Sequence, residues 1–303
     1  MVSDVPWMSP YFPGMMWRLF GVLGLLLIWA LVQPSATRRA RVTKVLTACW
    51  LGPLLVLAVF AGGIALFAML GLILVQALRE YRALVGLRSP YLVTLVVWSL
   101  GALALAGAGP RYLILVIAAG LFLFTTLIPI VSGVVDDAHR QVGTVLFGYM
   151  FIVAPLACIM LGREVEVWGL QFLLVVGTAI ALADAGAFVV GSWLRGPRLA
   201  PTVSPNKTWT GVCGAVLGAA AGIGFQWPLA PEEWDGQTAV VLIVTVALGA
   251  VWGDLVESFV KRDFGRKDAG TVLAGFGGVL DRFDSYLVGL PLTYVTVLLL
   301  NQH

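Results

Sequence analysis

The sequence predicts an all-α, polytopic integral membrane protein with about ten transmembrane helices. Three observations carry this. Hydrophobic residues make up 60% of the 303 positions, with a mean hydropathy of +0.95, which leaves too little polar surface to cover a soluble globule. Apolar runs long enough to cross a hydrocarbon core of ~30 Å recur along the whole chain. The basic residues also fall in alternate connections between those runs, as the positive-inside bias requires.

The spans are predicted near 16–33, 44–61, 63–79, 91–107, 111–131, 143–161, 168–192, 211–226, 238–257 and 285–300. The first is too long for the apolar core of a signal peptide and is followed by "QPSATRRAR", so it is expected to stay as a membrane helix. Only Gly62 and Gly63 separate the second and third, which allows either a tight hairpin or one long bent helix. With the amino terminus outside, the connections near 34–44, 79–90, 132–142, 193–210 and 258–284 face the cytosol and hold 16 of the 19 Lys and Arg residues. Arg18, Arg111 and Arg163 are the remainder. Both termini then lie outside, and the protein is expected to be multi-pass in the cell inner membrane or another membrane that faces the cytoplasm. Residues 1–165 form a first region of about six spans, and 166–303 a second of about four. Cys49, Cys158 and Cys213 lie in apolar runs and are read as small buried hydrophobes. His139 and His303 lie away from these segments and are read as a loop and a terminal residue, not as ligands.

Although charged residues are only 12% of the chain, nine crowd into "VKRDFGRKDAGTVLAGFGGVLDRFDS", residues 260–285. Depth along the spans brings further acids to the same level. Asp184 follows Trp168 by 16 residues, about 24 Å along the seventh span and close to its cytoplasmic end. Asp254 and Glu257 occupy that end of the ninth, and Asp281 and Asp284 open the tenth. A charge in hydrocarbon costs about 2.5–3.5 kcal/mol even on lenient scales, so such groups face a polar cavity or pair with one another. Asp254, Glu257, Ser258 and Lys261 follow i, i+3, i+4, i+7 and share one helix face. Hard oxygen ligands gathered without His or Cys suit Mg²⁺, which completes its shell with water and phosphate.

A second signal lies in "RLAPTVSPNKTWTG". Ser204 is expected as a helix N-cap, Pro205 as the first helical residue, and Lys207 and Thr208 in the first turn. A lysine there has the wrong sign for the helix dipole unless an anion is bound, so the stretch reads as a phosphate site. Acids that hold a metal beside basic groups that steady phosphates describe phosphoryl-group chemistry at a membrane surface.

These residues resemble the phosphatidate cytidylyltransferases, or CDP-diacylglycerol synthases. Ser258, Lys261, Arg262, Lys267, Asp268, Gly277, Gly278, Asp281, Arg282 and Asp284 match that family's signature in order and spacing. Asp184, Gly191, Ser204, Pro205, Lys207, Thr208, Trp209 and Gly211 match its upstream pattern. The chain is divergent inside the motifs: Ala274 and Phe276 stand where the family has Pro and His, and Ala185 and Phe188 where it often has Ser and Tyr.

The resemblance implies an enzyme that converts CTP and phosphatidate to CDP-diacylglycerol and pyrophosphate in phospholipid synthesis. It implies a Mg²⁺ cofactor with room for a second metal ion, no nucleic-acid partner, and is compatible with a homodimer. Asp254, Asp281, Asp284 and Lys267 are the implied catalytic residues, the three aspartates as metal ligands. Ser204, Pro205, Lys207, Thr208, Lys261, Arg262, Asp268, Arg282 and Asp184 are the implied substrate-binding residues. Two other readings compete: a catalytically degenerate paralogue that binds lipid or a partner, and an ion-coupled transporter. The transporter requires symmetry-related broken helices, and the sequence has no repeat of that kind.

Overall fold

The computed structural model describes residues 9–32, 35–108, 113–266 and 278–300. Ten helices follow one another: α1 (Tyr11–Val32), α2 (Ser35–Ala61), α3 (Gly63–Val85), α4 (Ser89–Ala108), α5 (Leu113–Ser132), α6 (Ala138–Arg163), α7 (Gly169–Leu194), α8 (Trp209–Gln226), α9 (Gly236–Asp263) and α10 (Leu280–Leu300). Seven of them, α3, α4 and α6–α10, are long and apolar enough over their described residues to cross a membrane. Large apolar side chains such as Ile64, Leu72, Ile130, Trp193 and Leu217 stand exposed, as expected where the surrounding medium is lipid. The prediction of an all-helical, multi-pass protein holds.

The helices run past the predicted span ends. At 28 residues α9 is about 42 Å long, more than a ~30 Å core needs, so charged turns of the same helix stand at its rim. Likewise α3 continues to Val85, through residues assigned from sequence to a loop. Gly62 resolves the junction before it. With φ 61° it adopts a conformation that other residues resist, and it separates α2 from α3. The far end of the bundle gathers here: Arg163, closing α6, donates to the carbonyls of Val59 (2.8 Å) and Phe60 (3.3 Å). Phe60 packs with Met15, Leu174 and Leu229. A π-helical turn at Tyr149–Val153 interrupts α6, beside Gly148, where the Tyr81 ring fills the space of a missing Cβ and its hydroxyl donates to the Thr144 carbonyl (2.9 Å).

Two helix pairs build the site. Along α8 the stripe Gly211, Gly214, Gly218 and Gly222 meets α7, where a Cβ on Gly214 or Gly218 would collide with the carbonyl of Gly186 or Leu182. Backbones approach this closely only when small residues line the seam. Cys213 lies off that stripe and is exposed, not buried as the sequence suggested; Cys49 and Cys158 are half-buried, and all three are free. In the second pair, Gly249 of α9 packs on Gly289 of α10, and Gly253 lies against the backbone of Asp284 and Ser285.

The connection from α7 to α8 is a short antiparallel hairpin, β1 (Arg198–Ala200) and β2 (Ser204–Thr208), with Arg198 opposite Thr208 and Ala200 opposite Ser204. This corrects the expected helix start. Ser204 is not an N-cap and Pro205 is not helical: both lie in β2, and the cap is Thr208, whose Oγ1 accepts from the Gly211 N–H at 3.1 Å. A proline's fixed φ also suits an edge strand, and cross-strand pairing decides between the two. Lys207 therefore precedes the helix instead of sitting in its first turn.

Candidate functional site

Helix α9 supplies the floor of the site. Its Asp254, Glu257, Ser258 and Lys261 project from one face, as their spacing requires, and the Lys261 ammonium donates to Glu257 Oε2 (2.7 Å) and Asp281 Oδ1 (3.0 Å). The first turn of α10 faces it. Asp281 turns its other oxygen back to the Gly278 N–H (2.8 Å), as a capping box does, and Asp284 Oδ1 accepts the Ser285 N–H (2.8 Å). The Ser285 hydroxyl donates to Asp184 Oδ1 on α7 (2.8 Å), which ties a third helix to the cluster.

Because Gly253 has no side chain, Asp284 sits directly across from the turn that carries Asp254 and Glu257. One carboxylate oxygen from each of Asp254, Glu257 and Asp284 lies within 4.8 Å of the others. Glu257 is 1% exposed, and its Oε1 meets no hydrogen-bond donor among the described residues. The acids of Asp281 and Asp284 are beside it. Three carboxylates this close, one of them with a buried oxygen that meets no donor among the described residues, suit a cation, and an all-oxygen set of this kind fits a hard divalent ion.

From the other side of the cleft β2 contributes Lys207, whose Nζ lies 2.6 Å from Asp254 Oδ2. The open cleft has a volume of about 1240 Å³. Its walls include Asp184, Ser204, Pro205, Lys207, Thr208, Lys261, Asp281, Arg282 and Asp284, so nine residues predicted from widely separated segments do converge. Asp254 joins them. Arg262 does not line the cleft; its guanidinium donates to the carbonyls of Val203 and Arg266, both at 3.4 Å, and so ties the hairpin to the end of α9. Lys267, Asp268, Gly277, Ala274 and Phe276 lie outside the described residues. Phe188 of α7 is 73% exposed and lines the cleft, as do Ala187, Val251 and Ala215, so part of the lining is apolar.

Four residues of the site were not assigned from sequence. Glu257 was placed on the shared α9 face but not named among the site residues. Arg195, in the left-handed region at the end of α7 (φ 47°), and Arg198 of β1 add cations to the cleft wall. Glu80 of α3 is the fourth. It is 5% exposed, and its carboxylate accepts the N–H groups of Val279 (3.0 Å) and Leu280 (2.9 Å) at the start of α10. Gln76, one turn earlier, donates to Glu80 Oε1 (2.9 Å). The signal was there: an acid at the same end of the third span as the other five. The neighbouring Arg79 and Arg82 made it look like part of a solvated loop.

Spanning helices around a cleft of opposed carboxylates and lysines define a class: multi-pass membrane proteins with a charged pocket at one end of the bundle. The family model described as "Cytidylyltransferase family" matches residues 42–300, and the chain belongs to that family. It is similar to the phosphatidate cytidylyltransferase of Brucella suis biovar 1 (38% identical over 135 residues, 44% of this chain and 49% of that one). Similar too are those of Synechocystis sp. (40% over 138 residues, 44% and 45%) and Rickettsia bellii (31% over 167 residues, 52% and 71%). The matched stretch spans about half the length of the Brucella and Synechocystis relatives.

Proposed function

We propose that this chain is a phosphatidate cytidylyltransferase: a phosphate oxygen of phosphatidate attacks the α-phosphorus of CTP, a new P–O bond forms, the bond to the β-phosphate breaks, and pyrophosphate leaves with CDP-diacylglycerol as product. The observation that carries this reading is the buried Glu257 carboxylate, whose Oε1 meets no donor among the described residues, grouped with Asp254 and Asp284 in a cleft that Lys207 and apolar side chains also line. One end of the reactant pair is a metal–polyphosphate and the other a lipid, and such a cleft has surfaces for both. Family membership and the similarity to phosphatidate cytidylyltransferases support it.

Asp254, Glu257 and Asp284 would hold Mg²⁺, with Asp281 beside them as a further ligand and space for a second ion. The bound ion supplies charge neutralisation to the phosphates. Lys207 and Lys261 stabilise charge on the phosphates as it moves toward the leaving pyrophosphate, and Arg195, Arg198 and Arg282 line the same cleft. Ser285 holds the Asp184 carboxylate in place by its hydroxyl. Lys267 and Asp268 complete the set in this reading, as leaving-group and orienting residues. The first region, 1–165, would serve as scaffold, and the second, 166–303, as the catalytic unit, with the cleft open to the cytosol of a cell inner membrane.

Purified protein in detergent, given labelled CTP, Mg²⁺ and a panel of phospholipids, tests the proposal. Label is expected in a lipid product with phosphatidate and not with neutral diacylglycerol. Absence of transfer to every phospholipid would overturn it.

A further inference from the structure

The acids that form the cluster come from two helices, and nothing within α9 or α10 alone fixes how far apart their carboxylates stand. Gly253 allows the close approach, and Gly249 against Gly289 and the Lys261–Asp281 ion pair join the two helices along their lengths. The start of α10 is also held from outside the pair. The first N–H groups of a helix have no partner of their own, and Val279 and Leu280 are buried residues, at 8% and 1% exposure. Both end on one side chain, the carboxylate of Glu80, which belongs to α3 and lies some 200 residues away in sequence. Gln76 holds that carboxylate in orientation from its own helix. Glu80 is thus a fork: two oxygens, two consecutive N–H groups, one helix start.

We infer that Glu80 is a positioning residue for the carboxylate cluster. By gripping Val279 and Leu280 it sets the register of the turn from which Asp281, Asp284 and Ser285 project, and therefore the distance of Asp284 from Asp254 and Glu257. The same contact gives the first region of the chain a direct part in the site, beyond that of scaffold. It also occupies the positive end of α10, so that helix terminus is not available to a phosphate, and anions in the cleft are left to the lysine and arginine side chains. Glu80 touches neither substrate nor cation; it acts through the backbone of α10.

The inference rests on the proposed cation site, and the test separates the two. Mn²⁺ alone is titrated into detergent-purified protein and its binding read by electron paramagnetic resonance, with no nucleotide present. Wild type should bind and Asp254→Asn should not; failure of that pair overturns the cation site itself, and with it the ground for this inference. Glu80→Gln keeps the volume but presents an amide NH₂ to one of the two N–H groups. It should weaken Mn²⁺ binding about tenfold, the scale on which residues behind metal ligands act, and hydrogen exchange of the peptide covering 278–286 should rise while that of 209–226 stays unchanged. A merely structural role would lower the yield of folded protein and leave the affinity of the folded fraction as in wild type; that outcome overturns the inference. Gln76→Leu spares both backbone bonds but frees the carboxylate, and should give a smaller loss of about threefold. If Glu80→Gln cannot be purified, unchanged Mn²⁺ affinity in Gln76→Leu counts as the refutation.

Discussion

Gly253→Ala is the most direct perturbation of the geometry on which the site depends. An ideal Cβ at residue 253 would lie 2.9 Å from the Asp284 carbonyl carbon and 3.0 Å from Ser285 Cα, and it would collide with the Asp284 carbonyl oxygen. Ordinary carbon contacts begin near 3.5 Å, so α9 and α10 must part by roughly 0.5–1 Å at this turn. Such overpacking costs about 1–3 kcal/mol, not enough to unfold a bundle in which α9 and α10 stay joined elsewhere along their lengths. At the site the same displacement separates Asp284 from Asp254 and Glu257, and a shift of about 1 Å can cost on the order of a hundredfold in rate. The expected result is cytidylyl transfer from labelled CTP reduced by about tenfold to a hundredfold, with protein still present in the membrane. Gly224→Ala is the matched control, because nothing lies within 4 Å of its added Cβ, and it should leave the rate unchanged. Retention of more than half the wild-type turnover by Gly253→Ala would refute the claim that close approach of these helices sets the site.

Three further outcomes are expected. Asp254→Asn and Glu257→Gln each remove a charge but little volume, so activity should fall more than about a hundredfold while membrane levels hold; turnover near wild type in both would remove the cation site from the mechanism. Lys207→Ala should raise KM for CTP or lower kcat, and no change in either would show that the Lys207–Asp254 pair has no part in phosphate handling. Reporter fusions after residues 200 and 270 should report the cytosolic side, and an external location at both would reverse the orientation read from the basic loops.

The ten helices were legible because hydropathy reports directly on the medium that surrounds them. The level of Asp184, Asp254, Asp281 and Asp284 followed from counting residues along those spans, and their convergence on one cleft holds in the structure. What misled was local chemistry with two solutions. Ser204-Pro205 suits an N-cap followed by a first helical residue, and it suits an edge strand equally; only the pairing of β2 with β1, a contact between segments, selects the strand. Glu80 was missed for a related reason. Its partners are backbone N–H groups, which carry no residue identity, so no motif at Val279 or Leu280 could announce an acid arriving from α3. Glu257 was visible as part of the α9 face, but it is singled out by its grouping with Asp254 and Asp284 and by an Oε1 that meets no donor among the described residues.

The bond between Lys207 and Asp254 has a consequence for the order in which charge moves through the cleft. At 2.6 Å the two side chains are each other's counter-ions, so the resting site is an ion exchanger loaded with its own groups. In the proposed function, a cation held by Asp254 would release the ammonium to an anion, and an anion held by Lys207 would release the carboxylate to a cation. By reciprocity each ligand must raise the affinity for the other by the same factor. A lone cation or a lone polyphosphate leaves one member of the pair stranded, whereas the two arriving as a neutralised complex replace both counter-ions at once.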